Sequence, residues 1–108
     1  MTEKINIETL SPEEIKQHLN LETGKLDWPE LSRHFARGVV IIVDPQLDLI
    51  EVAAKMVVDD KDAVGSWLET NLLIRADDQH AENWQKNNAL FWSVVVAPWV
   101  LVQEISIQ

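Results

Sequence analysis

The run Val39-Val40-Ile41-Ile42-Val43 constrains this chain more than any other feature. Five consecutive β-branched apolar residues suit an extended backbone. They leave no polar side chain for water, so both faces of the strand must be covered. Asp44-Pro45 closes the run with a turn. The run is expected to be the central strand of a sheet, with the rest of the chain built around it.

Helices are the natural cover, and helix starts recur along the sequence. Ser11-Pro12-Glu13-Glu14 places a capping serine before a proline at the first helical position, with a glutamate spaced to reach back to the cap amide. Ile15 and Leu19 form the inward stripe of this first helix, and Gly24 marks its end. Asp27-Trp28-Pro29-Glu30 repeats the logic for a shorter helix, with Leu31, Phe35 and Trp28 on its apolar face and Gly38 as the stop. Asp48-Leu49-Ile50-Glu51 is a third start. After it Leu49, Val52, Ala53, Met56 and Val57 recur at helical spacing, whereas an alternating strand would put Glu51 and Lys55 on the face of Leu49.

Asp59, Asp60 and Asp62 crowd a fourth helix start, where the helix dipole favours negative charge, and Val64, Trp67, Leu68 and Leu72 make its stripe. Residues 72–74 then read as a short strand. Asp77 caps a fifth helix carrying Ala81 and Trp84, with Asn87-Asn88 as its exit. Residues 90–96 and 99–107 are strand-like. Pro98 between them cannot donate to a ladder, which leaves a hairpin or a bulged strand, and the hairpin is the preferred reading. The last segment alternates with one face apolar further out than the other, as for a strand leaving the core at a sheet edge. The fold class expected is α/β of the α+β type: a small mixed or antiparallel sheet of three to four strands packed with about five short helices. Residues 1–108 form a single domain, with residues 1–10 as a flexible N-terminal segment.

Composition narrows the function classes. Eighteen acidic residues against nine basic ones give a net charge of −9, and the basic residues form no run or stripe. Nucleic acid and anionic membrane surfaces are therefore poor partners. There is no cysteine, which removes disulfides, thiol catalysis and thiolate metal sites and fits a cytoplasmic home. No signal peptide or membrane span is read, since the apolar stretch at residues 89–102 is short and interrupted by Ser93 and Pro98.

Candidate chemistry is sparse. Glu14, His18 and Glu22 fall at i, i+4 and i+8 on the first helix and could face one metal ion, although a solvated helix face explains them as well. Glu30 and His34 repeat the pairing without the Glu-x-x-His spacing of di-iron bundles. Asp59, Asp60 and Asp62 lack the glycine and closing glutamate of a calcium loop. Asp77, Asp78 and His80 resemble an acid–base pair but also a capped helix start. No serine stands in a nucleophile elbow, and three glycines are too few for a phosphate loop.

Five tryptophans without a tyrosine are unusual. Trp67 and Trp84 sit on apolar helix faces as core anchors. Trp28, Trp92 and Trp99, with Ile105 and Ile107 of the final strand, are the candidates for an interaction surface.

Several blocks also resemble a known family. The first half carries Leu19-Asn20-Leu21-Glu22-Thr23, Trp28, Leu31, Phe35-Ala36 and Gly38. The second carries Leu47-Asp48-Leu49-Ile50-Glu51-Val52-Ala53, Asp59-Asp60, Trp67-Leu68, Trp84 and Pro98-Trp99-Val100-Leu101-Val102-Gln103. Together, over residues 15–104, they resemble a family of short prokaryotic proteins known only as domain of unknown function 2288. The resemblance implies a bacterial, cytoplasmic, single-domain protein and brings no activity, substrate or catalytic residue with it.

Two functional expectations follow. The first is a non-enzymatic interaction or assembly module without a cofactor, self-associating or bound to another bacterial protein through its apolar last strand and tryptophans. The alternative is a small metal- or ligand-binding domain, or an enzyme, that uses carboxylates and histidines.

Overall fold

The computed structural model describes residues 10–105. Its elements in chain order are α1 (Pro12–Glu22), β1 (Gly24–Asp27), α2 (Trp28–Ala36), β2 (Val40–Val43), α3 (Leu49–Val57), α4 (Lys61–Glu69), β3 (Leu73–Arg75), α5 (Asp78–Asn87), β4 (Leu90–Val96) and β5 (Trp99–Glu104). The strands form one mixed sheet in the order β1-β4-β5-β2-β3. Only β2 and β5 are parallel; the other neighbours pair antiparallel.

Every helix starts at a side-chain cap. Ser11 and Glu14 form a reciprocal capping box on α1, and Asp27, Asp48 and Asp60 each accept from one or two amides of the first turn of α2, α3 and α4. Each such cap stabilises its helix by about 1 kcal/mol. On α5 the box is made by Asp77 with His80, a residue outside the usual Glu/Gln signature. Helix α2 ends in a Schellman motif: Gly38 N–H donates to Phe35 O at 2.9 Å and Val39 N–H to His34 O at 3.4 Å, with Gly38 at φ 73°.

Alternation along the strands sorts the core into two clusters on opposite faces of the sheet. On one face Ile41, Val43, Leu73, Val94 and Leu101 meet Ile15 and Leu19 of α1, and Leu49, Val52 and Ala53 of α3; Val64 and Trp67 of α4 close its flank. On the other face Val40, Phe91, Val100 and Val102 meet Leu31 of α2 and Trp84 of α5, with Trp28 and Phe35 packed beside them. Phe91, Leu31, Leu101 and Val102 are wholly buried, each worth about 1.5–3 kcal/mol of burial relative to exposure. Sheet and helices thus stack in three layers.

Several expectations change. The sheet has five strands rather than three to four, because α1 ends at Glu22 with Thr23 as its cap and Gly24 opens β1, whose one core-facing apolar residue, Leu26, is too little pattern to read. The middle strand is β5 and not the Val39 to Val43 run, which lies one place further out as β2 yet is paired on both sides. The last strand accordingly does not leave the core at an edge: Val100, Leu101 and Val102 are buried in succession because helices cover both faces there. Within α4, Leu68 points outward at 51% exposure, and Leu72 lies beyond the helix end. Val96 pairs with Trp99 across Ala97-Pro98, so β4 and β5 form the expected hairpin. Ile107 and residues 1–9 lie outside the described residues.

Candidate ligand-binding site

Parallel strands end side by side, and the crevice beyond their carboxyl ends is where open α/β sheets commonly bind ligands. Here the chain must turn from Val43 at the end of β2 into α3. Asp44 Oδ1 accepts from Gln46 N–H at 2.9 Å, and Leu47 N–H donates to Asp44 O at 2.9 Å, which folds the connection back on itself. Gln103, near the end of β5, then pins it: its Nε2 donates to Asp44 O at 3.0 Å and to Leu47 O at 2.7 Å. Both amide hydrogens are spent, so the carbonyl oxygen is the amide's remaining hydrogen-bonding group.

Over this pinned loop opens a cavity of about 580 Å³. Asn20 and Thr23 line it from the end of α1, Gln46 and Leu47 from the loop, Asp48, Leu49 and Ile50 from the start of α3, and Trp92 and Gln103 from the sheet. Asn20, Asp48 and Ile50 also line a shallower depression of about 300 Å³ that extends toward Glu13 and Lys16 of α1. Asp48 caps α3 through Oδ1 alone, at 2.9 Å from Ile50 N and 3.3 Å from Glu51 N. The Thr23 hydroxyl donates to Leu19 O at 2.8 Å.

Trp92 is the aromatic wall. On the sheet it sits in register between Lys25 of β1 and Gln103 of β5. Lys25 Nζ lies over the indole at 5.0 Å from the ring centroid, and Trp92 keeps 42% of its surface exposed. Trp92 is thus the large apolar side chain of this cavity that stays open to solvent. The remaining walls carry three carboxamides, one carboxylate, one hydroxyl and three aliphatic side chains, so the cavity is neutral apart from Asp48.

Among the described residues, the site candidates singled out in the sequence lie elsewhere, with the exception of Trp92. His18 Nε2 and Glu22 Oε1 approach to 3.2 Å, but Glu14 is turned to the helix start, where its carboxylate accepts from Ser11 N–H at 3.2 Å. The Ser11 side chain and then its backbone amide hold the Glu14 carboxyl below its ordinary pKa. His34 contacts Arg37 rather than Glu30. Asp60 caps α4, with Asp59 and Lys61 and with Lys55 and Asp60 as loose ion pairs. Asp77 is also held below its ordinary pKa, first by the backbone N–H of His80. Among the described residues no three His, Asp or Glu side chains converge as a metal site.

Trp28 packs at 5.7 Å from Phe35 and 5.8 Å from Trp84. Trp99 packs against the α1/α3 cluster with Arg75 at 5.9 Å, and Ile105 is half-buried. Asn20, Thr23, Gln46 and Gln103 were not singled out as site residues, because isolated amides carry no motif. The usable signal was that Asn20, Thr23, Leu47, Asp48, Leu49, Ile50 and Gln103 all belong to the blocks on which the family resemblance rests.

A family model described as "Protein of unknown function (DUF2288)" matches residues 14–104. The NMR solution structure of PA1075 from Pseudomonas aeruginosa is 36% identical, with a TM-score of 0.75 over 97% of this chain and 95% of that one. No curated protein matches. The chain therefore belongs to the family of proteins of unknown function DUF2288.

Proposed function

We propose that this chain is a non-enzymatic binding domain of the bacterial cytoplasm that holds a small ligand in the cavity beyond β2 and β5. The observation that carries the reading is the convergence of Asn20, Gln46 and Gln103 with the half-open Trp92 around one space of about 580 Å³. That volume lies inside the ~300–1,000 Å³ typical of small-molecule pockets. A binding role is favoured over catalysis because the lining offers no activated nucleophile beside a base, and its one carboxylate already caps α3. A bacterial source is supported by the Pseudomonas aeruginosa relative, and a cytoplasmic one by the cysteine-free composition.

The test is amide and side-chain chemical-shift mapping of the full chain against a library of small neutral fragments. Shifts should gather on Asn20, Leu47, the Trp92 indole and the Gln103 side chain. Fragments that bind only elsewhere, or not at all, would sink the reading.

Self-association is the second reading, resting on the interaction candidates Trp92, Trp99 and Ile105. Its support is narrower: the exposed large apolar side chains Leu21, Val58, Leu68, Ile74, Trp92 and Val95 are spread over α1, the end of α3, α4, β3 and β4. Light scattering coupled to size exclusion decides it. A monomer at high micromolar concentration removes it.

A further inference from the structure

We infer that the cavity ligand is a neutral, hydroxyl-rich ring, a monosaccharide or short oligosaccharide; this rests on the binding reading above and narrows it to a chemical class. Charge comes first. The residues lining the cavity carry one charge, that of Asp48, and the chain carries −9 overall, so phosphates and carboxylates are disfavoured; the nearest cations, Lys25 beside the Trp92 ring and Lys16 in the adjoining depression, stand outside that lining. Cations are disfavoured too, because the Lys25 ammonium, 5.0 Å from the centroid of the Trp92 ring, repels a second positive charge brought to the same indole, whereas an uncharged ring meets no such repulsion. An uncharged ligand remains.

Hydrogen-bonding capacity comes second. A carboxamide offers both donors and an acceptor, as a hydroxyl does, so Asn20 and Gln46 suit a ligand whose groups are each donor and acceptor. Gln103 and Asp48 add the opposite bias. The first has spent both amide hydrogens on the loop, and the second accepts its two cap bonds through Oδ1, so each contributes acceptor capacity for ligand hydroxyls. Hydrogen bonds from a hydroxyl to a carboxylate are among the stronger kind.

Shape comes third. A sugar ring has C–H-rich faces and a hydroxylated rim. That combination fits an indole wall facing amides, with Leu47 and Ile50 taking apolar edges. The adjoining depression, reached past Asn20 and Asp48, leaves room for a second ring unit.

The full chain, labelled with nitrogen-15, is titrated separately with N-acetylglucosamine, maltose and ribose, and in parallel with inorganic phosphate and spermidine. At least one sugar should shift the Trp92 indole and the Asn20 and Gln103 side-chain signals in a saturable way. Trp92→Ala should weaken it by about tenfold or more. Asn20→Ala, an exposed helix position, should weaken it with the fold intact as judged by spectral dispersion. The inference is overturned if no sugar binds at concentrations on the order of 0.1 M, or if phosphate or spermidine occupies these residues instead. Neutral fragments that still gather in the cavity would then leave the binding reading standing and remove only the saccharide class. A cavity that takes neither sugars nor fragments would remove both.

Discussion

Arg75 Nε donates to the carbonyl of Gly38 at 2.8 Å, joining the edge strand β3 to the turn between α2 and β2 across 37 positions of sequence. The backbone there favours a glycine, and a side chain would also displace the tip of Arg75. Gly38 sits at φ +73°, and a Cβ there would stand 2.7 Å from Arg75 Nη2. Gly38→Ala is expected to cost about 1–2 kcal/mol from the backbone conformation, plus the displacement of Arg75 from its place over Trp99. In an Arg75→Ala background the second part vanishes, so the double variant should be less destabilised than the two single changes summed. Urea denaturation of the four proteins measures this, and strict additivity would refute it.

Gln103 ties the middle of the sheet to the loop above the cavity. Gln103→Leu leaves the Leu47 carbonyl without its donor and the Asp44 carbonyl with the Leu47 N–H alone, and should cost about 1–3 kcal/mol. Hydrogen exchange should accelerate first at Leu47, whose N–H donates within that loop. Unchanged protection there would show that the amide does not hold the loop.

Trp84 anchors the α5 face. It meets Phe91 edge to face at 4.8 Å, and its Nε1 donates to Glu104 Oε1 at 3.2 Å. Trp84→Ala should cost about 3–5 kcal/mol. Trp84→Phe, which keeps most of the packing but loses the hydrogen bond, should cost clearly less. Thermal melts of both variants test the ranking; equal losses would mean that packing contributes little beyond the polar contact.

Acidification should loosen the caps of α1 and α5. Glu14 and Asp77 are both held below their ordinary pKa by hydrogen bonds at their helix starts. A carboxyl with a lowered folded-state pKa stabilises the fold above its unfolded value, near pH 4, and that contribution is lost as pH falls through the lowered value. Asp77→Asn keeps an oxygen for the His80 amide but cannot titrate. It should therefore flatten the fall of stability below about pH 4, read as denaturation midpoints across an acid series. An unchanged profile would assign the acid sensitivity elsewhere.

Local signals were the legible ones. Ser11-Pro12 through Glu14, Asp27 before Trp28-Pro29 and Asp48 before Leu49 each announce a helix, because a cap acts within a few residues and needs no tertiary context. The strand β1 was hidden because four residues at an edge expose half their pattern. The place of β5 was hidden because alternation over residues 99–107 implies one covered face, while Val100, Leu101 and Val102 are covered on both. Among the cavity residues only Trp92 was singled out. Asn20, Gln46 and Gln103 come from α1, a loop and β5, and amides so far apart in sequence acquire meaning only when the sheet brings them to one rim.

The strand that joins the sheet comes last in the chain. β1 and β4 form one pair, β2 and β3 another, and β5 alone touches both halves while coming after all of them in the chain. Until residue 104 is clear of the ribosome, each strand pair keeps an open edge where β5 will lie. Such edges invite pairing with other nascent chains. Ending the chain before Trp99 should thus leave two strand pairs linked through α1 and α3 but not strand to strand, and prone to aggregation, rather than a slightly shorter domain.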